Sequence, residues 1–166
     1  MIGFNIAAGL ASIAGLVFSV KAWKEARRAA QKADRASQAA REARDAVTIR
    51  SLVDEFQIAC TNADQLLDFL TQDRLPEAQL RARELTSVLS EIPHRRSSYL
   101  TEKRKIELRK IRRNAQIINE MLTSGQRTPL TIEQKQRLIR QGQKISSTLW
   151  ENLGTIKGEI DMGVRQ

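Results

Sequence analysis

Starting at Ala8 and stepping alternately four and three residues, the chain presents Ala8, Ser12, Gly15, Ser19, Ala22, Ala26, Ala29, Ala33, Ala36, Ala40, Ala43 and Val47. All but the last are small. Of the 40 residues from Ala8 to Val47, 18 are Gly, Ala or Ser, and this register collects 11 of them in 12 steps. Such a heptad spacing belongs to a helix with a single seam, and neither glycine nor proline interrupts the chain between Gly15 and Pro76. The pattern predicts a long helix whose backbone comes very close to another helix along one stripe. The rival reading is a solvated single helix, held by alanine propensity and by charge pairs such as Glu42 with its neighbouring arginines.

The start of this helix differs from the rest. Met1 to Val20 carry no charge, and twenty residues of helix span ~30 Å, the thickness of a bilayer's hydrocarbon core. A transmembrane helix is therefore expected over residues 1–22, with a buried core helix as its rival. A cleaved signal peptide fits poorly, because no Lys or Arg precedes Lys21 and the run ends in Val20-Lys21-Ala22-Trp23. Inside the segment Gly3, Ala7, Ala11, Gly15 and Ser19 stand four apart, the small-xxx-small arrangement that lets helices touch in lipid. With Ala8, Gly9 and Ser12, and with Ala22, Ala26, Ala29, Ala33, Ala36, Ala40 and Ala43 further on, they form the expected homo-oligomer packing set. Lys21, Trp23 and Lys24 are the expected membrane-interface residues, and Arg27, Arg28 and Lys32 extend the basic collar. By the positive-inside rule the N-terminus lies outside and the remainder in the cytoplasm of a single-pass inner or plasma membrane protein.

Near Thr48 the phase slips, and Ser51 with Asp54 reads as a capping box. A face of larger residues follows: Leu52, Phe56, Ala59, Ala63, Leu66 and Leu70. Pro76 suits the first turn of a next helix, which carries Leu80, Leu85, Val88, Leu89 and Ile92 and is expected to stop at Pro93. Another is expected from about Ser98 to Thr123, with Leu108, Ile111, Ala115, Ile118 and Leu122 inward and Gly125 ending it. Thr131 and Gln134 form a capping box for a last helix with Leu138, Ile145, Leu149, Leu153, Ile156 and Ile160 inward. The predicted class is all-α: a transmembrane helix over 1–22, an alanine-rich juxtamembrane coiled-coil helix over 23–48, and an antiparallel cytosolic bundle over 49–166.

Composition agrees with few turns and little β structure, since 166 residues hold eight Gly, three Pro and 4% aromatics. Twenty-eight Lys and Arg against 19 Asp and Glu leave a net charge of +9, which favours polyanions, either anionic lipid or nucleic acid. The charge is densest between His94 and Arg113, where Arg95, Arg96, Lys103, Arg104, Lys105, Arg109, Lys110, Arg112 and Arg113 form the candidate anionic-partner set. Tyr99 is the one aromatic among them, so single strands find no stacking platform.

Candidate chemistry is sparse. Cys60, the single cysteine, excludes an internal disulfide and reads as a small buried hydrophobe. His94, the single histidine, falls in an expected loop beside two arginines and reads as a surface residue. No phosphate loop, nucleophile elbow or metal motif is present, so no enzyme activity, cofactor, metal or small-molecule substrate is expected. Gly154 and Gly158, four apart, either permit a close helix crossing or weaken the end of the last helix.

The run Phe4-Asn5-Ile6-Ala7-Ala8-Gly9-Leu10-Ala11-Ser12-Ile13-Ala14-Gly15-Leu16 resembles the opening of fungal HeLo-like cell-death domains. The layout is also similar to small bacterial antiviral accessory proteins that place a membrane helix before a helical domain and assemble into pores. The resemblance implies a membrane-permeabilising effector of a defence or cell-death system, oligomeric and anchored, whose helical domain receives a signal. Two other functions fit the residues: a membrane-tethered module recruiting nucleic acid or a signalling protein through the basic block, and a structural coiled-coil scaffold.

Overall fold

The computed structural model describes residues 3–126 and 128–161, without the side chains of residues 3–20, Ser97 and Asp161. It consists of α1 (Gly3–Thr71), α2 (Leu75–Arg95), a short 3-10 turn (Ser97–Tyr99), α3 (Glu102–Gly125) and α4 (Ile132–Asp161). The class is all-α, with no strand among the described residues. The expected membrane helix falls on residues whose side chains lie outside this description. Among the described residues no helix is long and apolar enough to cross a membrane.

Two compact units divide the chain, Met1–Ala46 and Val47–Gln166. The second is an up-down-up-down bundle of the last part of α1 with α2, α3 and α4. Its antiparallel order is visible in paired contacts. Gln79 meets Thr123 while Arg83 meets Asn119, and Asp64 meets Ser146 while Asp73 meets Lys135. In each pair one number rises as the other falls.

The predicted core faces of α1 and α3 are buried throughout: Leu52, Phe56, Ala59, Ala63, Leu66 and Leu70 on one, and Leu108, Ile111, Ala115, Ile118 and Leu122 on the other. Cys60 joins them, as do Ala78 and Ala82, which let α2 approach closely. Two expected core residues face out instead. Leu80 is 54% exposed and Ile160 is 41% exposed, because the buried register of α2 runs Ala78, Ala82, Leu85, Leu89, Ile92, and that of α4 ends at Ile156. Gly142 faces α1, where an added Cβ would make ordinary contacts at 3.4 Å from Leu70 and 3.5 Å from Leu67. Gly154 and Gly158 have open space where a Cβ would go, so they make no close crossing among the described residues.

The helix ends show where local signals ruled and where packing overrode them. Ser51 caps nothing, since α1 runs straight through it; its hydroxyl faces Glu55 and accepts from Arg96 at 2.6 Å. A change of apolar face needs no break when neither Gly nor Pro interrupts the hydrogen-bond ladder. α1 closes in a Schellman motif, with the Arg74 N–H donating to the Phe69 carbonyl at 2.8 Å and the Asp73 N–H to Leu70 at 3.4 Å. Asp73 takes the left-handed position at φ 58° that glycine usually occupies. Pro76 stands in the first turn of α2 as expected, but Pro93 does not stop that helix, which continues to Arg95. A proline in the last turn forfeits one hydrogen bond, while buried Ile92 and the Arg96 N–H bonded to the Ile92 carbonyl hold the turn. Consequently His94 lies in the last turn of α2, exposed, and not in a loop. α3 starts later than Ser98, at the Thr101 cap, whose hydroxyl accepts from the Arg104 N–H. The Thr131–Gln134 capping box is reciprocal, at 2.9 and 3.2 Å.

Candidate functional site

Two surfaces carry the sequence-predicted residues. The first is the alanine stripe. From Lys21 to Val47 the chain is helical and every residue is exposed, Ala22, Ala26, Ala29, Ala33, Ala36, Ala40 and Ala43 among them. Gly3, Ala7, Ala8, Gly9, Ala11, Ser12, Gly15 and Ser19 belong to the stretch whose side chains lie outside the described residues. Counted onward, the small-residue register reaches Arg50, Asp54, Gln57 and Thr61, which are exposed. The bundle core uses a register two positions out of step, on Leu52, Phe56 and Ala59. At the expected interface Trp23 is 61% exposed and the Arg27 guanidinium lies 5.2 Å from the centre of its ring. Lys21 and Lys24 are exposed beside it.

The second surface is the basic block, which the fold splits into two groups. Arg104 points inward and its two terminal nitrogens donate to both oxygens of Glu159 at 2.8 and 2.5 Å. Those bonds, opposed by partial burial, hold the Glu159 carboxyl below the ordinary glutamate range. Arg96 bridges Ser51 and Glu55, with only a fifth of either charged side chain exposed. Arg95 pairs with Glu91 at 2.9 Å and Lys105 with Glu102 at 2.7 Å. The Lys105 ammonium in turn keeps the Glu102 carboxyl low. Arg112 is half-buried on the flank of α3. Lys103, Arg109, Lys110 and Arg113 remain, all exposed and in no salt bridge among the described residues.

The inward turn of Arg104 had a sequence signal, because it stands four residues before Leu108 on the core register. The bundle's other polar ties had none. Gln79, 6% exposed, donates to Thr123 at 2.7 Å and accepts from Gln126 at 2.7 Å, while Asp64 accepts from Ser146 and from the Trp150 indole. These satisfy polar atoms buried or half-buried in the bundle.

No group of three metal-ligating side chains occurs among the described residues. Burial, reinforced by the charge of Asp64, pushes the Cys60 thiol up to about 11, so it is a poor nucleophile. An open depression of about 410 Å³ lined by Asp54, Gln57, Ile58, Thr61 and Asn62 sits on α1 alone, without a wall from another helix. No family model, curated protein or solved structure matches this chain.

Proposed function

We propose that this chain is a self-associating, membrane-anchored protein whose assembled helices permeabilise the bilayer, and that it acts without catalysing a reaction. The observation that carries the reading is the stretch from Lys21 to Val47: helical, exposed at every residue, and small along one heptad register. Each alanine buries little area, so the stripe has value only where several backbones approach closely and sum many such contacts. The uncharged run from Met1 to Val20 and the collar of Lys21, Trp23 and Lys24 support a single-pass anchor with the bundle on the cytoplasmic side. The similarity of Phe4 to Leu16 to the HeLo-like opening supports permeabilisation as the outcome.

The test pairs two double variants with wild type, using sizing in detergent and a membrane-potential dye. Gly9→Leu with Gly15→Leu should still insert, since leucine favours insertion, yet lose both the oligomer and depolarisation. Ala29→Leu with Ala36→Leu should change the oligomer's size, because seam residues set coiled-coil state. Leu10→Ile is the silent control. A double-glycine variant that stays assembled and equally active refutes the packing face. Wild type that never depolarises cells hands the function to a tethered module that recruits nucleic acid or a protein.

A further inference from the structure

The four cations of α3 that form no salt bridge among the described residues are not scattered, although the Arg109 guanidinium also donates to the Lys105 carbonyl and acts on Glu102. At 100° per residue, Lys103, Arg109, Lys110 and Arg113 fall on one outer face, over a rise of ~15 Å. Ile106 lies among them and is 45% exposed. The acidic neighbours are accounted for: Glu102 is bound to Lys105, Glu107 sits half-buried on the flank, and Glu120 lies two turns further on, accepting from Gln116. Arg104 lies on the opposite, core side of the helix, bound to Glu159. What is left is a row of four positive charges around one aliphatic side chain.

We propose that this face of α3 is a docking surface for an anionic lipid bilayer. The charges alone suit any polyanion; the isoleucine selects between them. Against a phosphate backbone Ile106 would be desolvated with no apolar partner, whereas at a bilayer surface it enters the boundary between head groups and acyl chains while the longer Lys and Arg side chains reach the phosphates. Nucleic-acid recognition by a surface helix would also want groups that stack on bases, and no aromatic side chain lies between Lys103 and Arg113. Docking of α3 does not depend on an N-terminal anchor and would operate with or without one.

The experiment uses the full chain with Cys60→Ala and Ile106→Cys, labelled at position 106 with an environment-sensitive fluorophore. It is added to or reconstituted in vesicles of phosphatidylcholine alone or with 30% phosphatidylglycerol, equal on both leaflets; that fraction is a choice of roughly physiological surface charge. A label at Gln143→Cys, exposed on α4, is the control. The expected result is a blue-shifted, brighter emission at position 106 with anionic vesicles only, reversed by about 0.5 M salt as screening demands. Each basic residue near an anionic surface is worth about 5-fold in partitioning. Replacing Lys103, Arg109, Lys110 and Arg113 by Gln should therefore require roughly 600-fold more anionic lipid for the same shift. Single Lys103→Gln and Lys110→Gln variants give the graded effect should the fourfold variant misfold. No shift with anionic vesicles, an equal shift with neutral ones, or a shift with an oligonucleotide and not with vesicles overturns the proposal. Loss of the anchor would instead appear as failure to float with neutral vesicles, a separate readout.

Discussion

Arg104 lies in the first turn of α3 on the register of Leu108, Ile111 and Ala115, so its guanidinium is carried inward, where Glu159 receives two hydrogen bonds. A pair with one partner 8% exposed draws its worth from not leaving that arginine unpaired. Because a third of the Glu159 side chain is still in contact with solvent, we expect Glu159→Gln to cost about 1–3 kcal/mol at neutral pH. The pH dependence follows from the depressed carboxyl of Glu159. Its contribution is complete above the unfolded glutamate pKa, ~4.3, and is lost as pH falls through the lower folded value. Urea midpoints of wild type and Glu159→Gln should thus differ at pH 7 and converge below about pH 4. A gap that stays constant across that range would assign the bond no electrostatic role.

Among the elements, the turn from α3 to α4 concentrates the most local constraint. Gly125 ends α3, and a Cβ there would meet Leu130 Cγ at 2.8 Å. Alanine would otherwise favour the helix by about 1 kcal/mol, so the steric term has to overcome that gain. We expect Gly125→Ala to be destabilising by about 1 kcal/mol net, and Leu130→Ala to remove most of the penalty in the double variant. Thermal midpoints of the four proteins test this coupling, and strict additivity would show that Leu130 simply moves aside. α1 teaches the complementary lesson. Its apolar face changes register beyond Val47 without a break, because nothing in the chain there removes a backbone donor.

At the scale of the whole molecule, the second unit encloses Cys60 completely, with its thiol raised to about 11. Reaction with a thiol reagent at pH 8 should therefore require opening of the bundle, at a rate more than ~10³-fold below that of a free cysteine. Adding urea to the unfolding midpoint should release it. Fast labelling in native buffer would mean that α1 detaches from the bundle far more readily than its buried residues imply.

The sequence by itself determined the helices and most of their inward faces, because a 3.5-residue apolar period survives any arrangement of neighbours. It also determined the Thr131–Gln134 cap and the small-residue stripe, which depend only on residues three or four apart. Tertiary structure decided what those local rules do not reach. Ser51 became a partner of Arg96 and not a cap, Pro93 stayed inside a helix, and Leu80 and Ile160 turned outward. The candidate basic surface shows the same division. Its nine positive residues were legible as a run, but a charge seeks its partner in space, so only the folded chain separates Arg96 and Arg104, spent on Glu55 and Glu159, from the four cations left facing outward on α3.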